Sequence, residues 1–344
     1  MEEPNNCTNH QNLTPQALRE SLLEERKKGR LAFVLGNGIN RYNPNDLSWN
    51  ELIKQVWSES LEEVASIPSD GISLTELYDM ATLNEIFKIN PEDKDLNRKV
   101  KKAADDIKSR IRERVKEMVC QKIDYHEWLQ KKLSLWDVPV LTTNYDTNIE
   151  SGMKQFVIPS RHYKKGYSDT YLFNVYYADK PIDESTEENF FRRFAVWHIN
   201  GRVNHTPSIR IGMSDYMNLL VETKDLLHNR AHLYYVGKEQ RQWGLKNKEE
   251  RDTDNYTFTW LNIFYNSSIC INGLALNQDE SYLRWLLISR KKYLKRVGLS
   301  DVKGWYICHP SDLTEGKRLF LENTGLKVIE FNDNRERYEK LFEI

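Results

Sequence analysis

Three short stretches place chemistry-bearing side chains directly after apolar runs: GNGIN (36–40), TTNYD (142–146) and HINGR (198–202). In the first, Gly36 and Gly38 leave room for backbone N–H groups to approach a diphosphate, with Asn37 and Asn40 beside them. In the second, the Asn144 amide both donates to and accepts from a ribose hydroxyl or a water, and Asp146 accepts from an amide or a hydroxyl. In the third, His198, Asn200 and Arg202 alternate, so on an extended strand they emerge on one face, and the histidine is a candidate general base. Each stretch also has an ordinary reading. Glycine turns end many parallel strands that bind nothing, an Asn or Asp after a strand commonly caps the next helix, and a strand histidine is commonly a hydrogen-bonded core residue.

The elements around these stretches give them a common address. LTPQALRESLLEERKKG (13–29) predicts a helix with Thr14 as N-cap, Pro15 in the first turn and Gly29 as the stop, leading into the buried strand LAFVL. VPVLTTNYD (138–146) and AVWHINGRV (195–203) are further strand candidates, and Ser268 to Asn272 another, followed by the loop GLALNQ and a helix from Asp279. IRIGMSDYMNLL predicts a glycine turn and a helix start at Ser214, while Asp46 or Ser48 caps the amphipathic SWNELIKQVWSESLEEV. GWYICHP and LKVIEFN are terminal strands separated by a helix, and the Tyr-rich stretch 151–195 gives loops and short strands. Strands alternating with helices imply an α/β fold, a Rossmann-like doubly wound parallel sheet. In such a sheet ligands sit at the carboxyl ends of the strands, and four strands here end in glycine or amide residues there.

Between residues 66 and 134 the pattern changes. Ile107, Ile111, Val115 and Met118 follow helical spacing, with Val100 and Ala104 upstream, and the opposite face is densely charged with both signs. The sequence therefore divides into an N-terminal helix (1–30) packing on the core, a discontinuous α/β domain (31–65 and 135–344) and a helical insertion domain (66–134).

Bulk properties remove several classes. Fifty Lys and Arg against 51 Asp and Glu leave a net charge of -1, so no global field points to nucleic acid or an anionic membrane. The start MEEPNNCTNHQN lacks the basic and apolar regions of a secretion signal and no stretch approaches a membrane span, so a cytoplasmic location is expected. Cys7, Cys120, Cys270 and Cys308 stand far apart without a CxxC pair, so neither a disulfide framework nor a metal is expected. GNGIN lacks the third glycine of the dehydrogenase fingerprint, and no GKS or GKT is present, which argues against hydride transfer and ATPase-type phosphate loops.

Taken in order, GNGINRY with the following SW and NEL, then HEWLQKKLSLWDVP and LTTNYD, WHINGRV, IRIGMSDY and INGLALNQDESYLRWLL resemble the motifs of sirtuin-like (silent information regulator type) proteins. The branch they resemble most is that of NAD hydrolases in prokaryotic antiviral defence systems, over residues 30–155 and 190–290. The resemblance implies that Gly36 and Gly38 belong to the diphosphate loop, with Asn40 near that loop's usual serine. It implies that Asn144 holds the ribose and the reacting water and that Asp146 secures the nicotinamide carboxamide. Gly273, Ala275 and Leu276 match a later Gly-Ser-Leu type loop on the adenosine side.

The implied activity is an NAD glycohydrolase that splits NAD, as substrate, into nicotinamide and ADP-ribose. Nicotinamide leaves as a good, initially cationic group through an oxocarbenium-like transition state, so orienting one water and stabilising charge on the ribose suffice. The sequence departs from the family at one point: the family has His immediately before Gly201, where this chain has Asn200, with His198 two residues earlier. Either His198 reaches the cleft from deeper in the strand, or Asn200 and Asn144 position the water. Protein deacylation fits less well, because the four-cysteine zinc module that usually goes with it is absent. A non-catalytic nucleotide-binding sensor is the reading from another class. A toxic effector of abortive infection must be held off until triggered, so a regulatory partner protein or a homo-oligomer is expected, with 281–296 and 66–134 as contact surfaces.

Overall fold

The computed structural model describes residues 14–42, 49–60, 71–119, 124–158, 171–182, 191–227 and 259–343. Thr14 accepts a hydrogen bond from the Ala17 N–H at 3.2 Å and opens the helix Pro15–Lys27, after which Gly29, at φ +68°, turns the chain into β1 (Leu31–Leu35). All five β1 residues are buried, so the strand needs cover on both faces.

Leu31, Phe33 and Leu35 pack on Leu18 and Leu22 of the first helix, on the helix Asp124–Trp136 and on the helix Asn334–Phe342. Phe33 meets Trp136 edge-on at 5.4 Å and Phe342 at 5.2 Å. Truncating such a residue to alanine costs about 3–5 kcal/mol. Ala32 and Val34 face the other way, onto the helices Trp260–Asn266 and Ser281–Val297.

The remaining strands are β2 (Val140–Thr142), β3 (Lys154–Val157), β4 (Val175–Ala178), β5 (Val196–His198), β6 (Ser268–Asn272), β7 (Gly304–Cys308) and β8 (Lys327–Glu330). Among the described residues they form one sheet in the order β3-β4-β5-β2-β1-β6-β7-β8. The pairs from β5 to β8 are all parallel. The fold is thus α/β, a mostly parallel eight-stranded sheet with helices on both faces.

The expected parallel sheet is found over most of its width, with an antiparallel edge at β3 and β4. In the Tyr-rich stretch 151–195 residue types mark strands but not their direction. The closing helix Asn334–Phe342 was not anticipated either.

A third apolar cluster joins the helices Trp49–Ser60, Leu74–Phe87 and Leu96–Val119 through Leu52, Ile53, Leu77, Tyr78, Ile107, Ile111 and Val115. It also takes Tyr145, Val203, Ile209 and Ile211, which follow β2 and β5, so these helices cover the carboxyl ends of those strands. Lys108 pairs with Asp215 at 3.1 Å and Asp79 accepts the Ser214 N–H at 3.3 Å across the same seam. The helix Asp124–Trp136, expected at the end of the insertion, instead lies in the sheet core, because Tyr125, Leu129, Leu133 and Trp136 give it an apolar stripe facing β1. The helix start at Ser214 is found one residue earlier, at Met213. Asp46, Ser48, Cys7 and Cys120 lie outside the described residues, and so does the Met118 side chain. Cys270 and Cys308 are buried free thiols. Among the described residues no helix is long and apolar enough to cross a membrane.

Candidate functional site at the carboxyl ends of the strands

The parallel register aligns His198, Thr142, Leu35, Asn272 and Ile307 in one row across the sheet. GNGIN, TNYD, INGR and the loop from Gly273 therefore start side by side just above that row. The chain leaves β1 toward β2 and leaves β6 toward β7, so the loops diverge between β1 and β6, the place where such sheets take ligands.

At this point the two glycine loops touch. The Gly36 N–H donates to the Asn272 carbonyl at 3.0 Å and the Gly38 N–H to the Gly273 carbonyl at 2.8 Å. A Cβ on Gly38 would lie 2.5 Å from Gly273 Cα and 2.6 Å from Tyr338 Oη, and Gly273 itself holds φ +72°. In this conformation the glycines provide close packing across the divergence, and the N–H groups of Gly36 and Gly38 are engaged by protein acceptors.

Asn40 and Asp146 meet in a buried polar network. Asn40 Nδ2 donates to Asp146 Oδ2 at 2.6 Å and to Asn37 Oδ1 at 3.0 Å. The other Asp146 oxygen accepts the Asn148 N–H at 3.0 Å. Burial pushes the Asp146 carboxyl above the usual range, against the pull of the Asn148 N–H and the Asn40 amide. Asp146 thus accepts a hydrogen bond from the primary carboxamide of Asn40.

Asn144 is 1% exposed; its Nδ2 donates to the Gly36 carbonyl at 3.3 Å, while its Oδ1 has no hydrogen-bond partner. Asn200, 7% exposed, likewise has a buried Oδ1 without a partner, and its own carbonyl accepts the Arg210 N–H at 2.9 Å. Gly201 follows at φ +95° against the Ser208 carbonyl, where a side chain would clash. That contact explains the glycine after Asn200 without any ligand.

His198, Asn200 and Arg202 were expected on one strand face; the strand ends at His198 and Gly201 takes φ +95°, so the alternation does not run on to Arg202, yet His198 and Arg202 meet at one carboxylate. His198 Nε2 lies 2.8 Å from Glu150 Oε1 and Arg202 Nε donates to the same oxygen at 2.9 Å. His198 Nδ1 lies 2.8 Å from the Asn144 carbonyl oxygen. Both ring nitrogens therefore sit within hydrogen-bond distance of protein oxygens. In this arrangement the His198 ring is engaged by the protein on both sides, by the Asn144 backbone and by the Glu150 carboxylate. Burial acts to raise the Glu150 carboxyl, but His198 and Arg202 outweigh it and hold the group below its ordinary range. Arg202 also stacks over Tyr177 at 3.9 Å.

On the other side of the divergence, Leu276 is buried at φ +49° and its carbonyl accepts from Arg284 at 2.9 Å, while Ala275 is exposed. The expected adenosine-side loop is thus adjacent to the glycine loop through Gly273, and Ala275 alone of the three presents its side chain to solvent. Of the expected contact helix 281–296, Arg290 is buried and bonds the carbonyls of Phe264 and Ser267 at 2.8 and 2.6 Å, so its role is structural.

Three participants escaped the sequence reading. Asn272 is fully buried with both side-chain polar atoms unpartnered at the end of β6; the signal was present, since NG follows an apolar strand there as it does at Asn200. His126 Nε2 sits 3.0 Å from Asn40 Oδ1, brought in by a helix whose periodicity spoke only of core packing. Glu150, in a turn, carried no local signal. Among the described residues no cluster of His, Cys, Asp and Glu is arranged to hold a metal. No protein-family model matches the chain, and no curated protein matches it.

Proposed function

We propose that the protein is a sirtuin-like NAD glycohydrolase, which cleaves NAD to nicotinamide and ADP-ribose and serves as a regulated toxic effector of antiviral defence. The observation that carries the reading is the set of unpartnered carboxamide atoms on Asn144, Asn200 and Asn272, three buried side chains on neighbouring strand ends. A buried amide atom without a partner costs about 1–3 kcal/mol, and four of them on three strand ends are accounted for by a polar ligand that completes them.

In this reading Asn144 Oδ1 orients the attacking water and the ribose, held by the bond from His198 to its backbone. Asp146 exchanges the Asn40 amide for the nicotinamide carboxamide. Asn200, standing where the family has its histidine, offers its unpartnered oxygen to help place the water. The cation on nicotinamide is lost as the bond to ribose breaks, so no strong acid is required. The domain reading goes with it: the α/β part is a Rossmann-like doubly wound unit, and the helices within 66–119 are a module over the site through which a partner or a second copy controls access.

A second reading is favoured by one observation. With both nitrogens of His198 engaged, the crevice lacks the family's base, which suits a nucleotide sensor that binds without turnover. Nicotinamide release from NAD by purified protein, alone and with co-purifying partners, separates the two. Release that disappears in Asn144→Ala supports the hydrolase; tight NAD binding with no release in any condition supports the sensor. A monomer fully active without a partner would remove the proposed regulation.

A further inference from the structure

Two largely buried cations near the carboxyl end of β7 have only distant counter-charges, on Asp312 and Glu280. Arg337 is 6% exposed and its buried Nε has no hydrogen-bond partner. Its Nη2 donates to Tyr338 Oη, and the nearest carboxylate oxygen, on the half-exposed Asp312, stands 4.0 Å from Nη1. Lys317 is 9% exposed, donates to the Asp312 carbonyl at 2.8 Å and forms no ion pair among the described residues. Burial pulls its ammonium below the ordinary range, which the more distant Cys308, Asp312 and Glu280 only partly offset.

These cations stand beside the crevice. Tyr338 Oη, which Arg337 bonds, is the atom that would lie 2.6 Å from a Cβ on Gly38. Lys317 Nζ sits 5.3 Å from the Tyr306 ring, and the Tyr306 hydroxyl bonds the Leu274 and Ala275 carbonyls at 2.6 and 3.1 Å. Both cations thus border the loops that meet at Gly38 and Gly273. The N–H groups of Gly36 and Gly38 are already donated to Asn272 and Gly273, so a phosphate here finds its positive partner elsewhere.

We propose that Arg337 and Lys317 form an anion subsite that holds the diphosphate of the bound nucleotide, in place of the N–H groups of Gly36 and Gly38. The proposal rests on the nucleotide reading of the crevice but not on hydrolysis. A guanidinium with an unbonded Nε matches phosphate geometry, and an ammonium nearby adds a second charge.

The test is calorimetric titration of the full chain with inorganic pyrophosphate, ADP, NAD and nicotinamide riboside, for wild type, Arg337→Gln, Arg337→Lys and Lys317→Met. ADP and pyrophosphate are expected to bind wild type, to weaken about tenfold or more in Arg337→Gln and in Lys317→Met, and to recover partly in Arg337→Lys. Nicotinamide riboside, which lacks the diphosphate, is expected to bind all four alike. Thermal melts without ligand identify any variant that misfolds, and Lys317→Met, whose ammonium makes a single hydrogen bond to backbone, keeps the test alive if Arg337→Gln does. Equal ADP and pyrophosphate affinity across folded variants, or no binding to wild type, overturns the subsite. NAD cleavage by Arg337→Gln with an unchanged KM overturns it while leaving the hydrolase intact, whereas Arg337-dependent ADP binding without NAD cleavage keeps the subsite and removes the hydrolase.

Discussion

The two ends of the sheet both bury polar groups, and they treat them differently. At the amino ends of β1, β6 and β7, Glu25 is fully buried, accepting from Ser268 Oγ at 2.7 Å and from Lys28 at 2.9 Å. Arg30 lies 3.2 Å and Lys303 3.3 Å from the same carboxylate. Arg290 is capped there by backbone carbonyls, and the Ser267 hydroxyl is left over. At the carboxyl ends the count reverses, with Asn144, Asn200 and Asn272 each holding an amide atom that no protein group meets. A charge network satisfied within the protein serves folding. Spare hydrogen-bonding capacity, kept buried at a cost, points outward to a ligand.

The difference is sharpest when each end is broken in turn. Asn144→Ala is expected to lower nicotinamide release by about a thousandfold, near 4 kcal/mol of barrier, while costing only about 1 kcal/mol of folding stability. Glu25→Ala should do the opposite, removing about 3 kcal/mol of stability by stranding the cations around it while leaving KM for NAD unchanged. Turnover kinetics set against chemical denaturation read both. A Glu25 variant with lost affinity, or an Asn144 variant that merely unfolds, would erase the distinction between the ends.

A smaller effect tests the spare capacity directly. Asn272 is fully buried in β6 with neither amide atom bonded, so Asn272→Val substitutes a good strand former and removes the unsatisfied group. Stability is expected to rise by about 1 kcal/mol while nucleotide affinity falls. A loss of stability would mean that the amide is satisfied in solution rather than held spare for a ligand.

How much of this the sequence disclosed depends on whether the relevant signal is local. The apolar run of β1, the Thr14 cap and the strand Ser268–Asn272 are visible because cap chemistry and burial act over a few residues. The common position of GNGIN, TTNYD and HINGR follows from parallel topology, which alternating strands and helices imply. The partners of His198 were hidden, since Glu150 lies 48 positions away and meets it only once β2 and β5 pair. Alternation over His198, Asn200 and Arg202 assumed a strand that in fact ends at His198, and it could not say that a carboxylate joins the first and last of them. Arg337 was hidden for the same reason, on a helix whose own pattern records only packing.

The smallest expected effect bears on the residue the sequence left most open. Asp146 and Glu150 are both buried, yet their carboxyls shift in opposite directions: burial raises Asp146 past the pull of its amide neighbours, whereas His198 and Arg202 outweigh burial at Glu150. A carboxyl whose folded pKa is depressed gives stability that is present above its unfolded pKa and is lost as pH falls through the folded one. Wild type should therefore lose more stability than Glu150→Gln as pH drops below about 4. Asp146, raised on folding, gives stability that is present at low pH and lost as pH rises, so against Asp146→Asn wild type should gain on acidification. Melting curves of the three proteins between neutral and acid pH measure both slopes. If wild type and Glu150→Gln decline in parallel, Glu150 is not held by His198 and Arg202 in solution; a ring nitrogen of His198 is then available to the crevice, and the histidine returns as the base that Asn200 displaced.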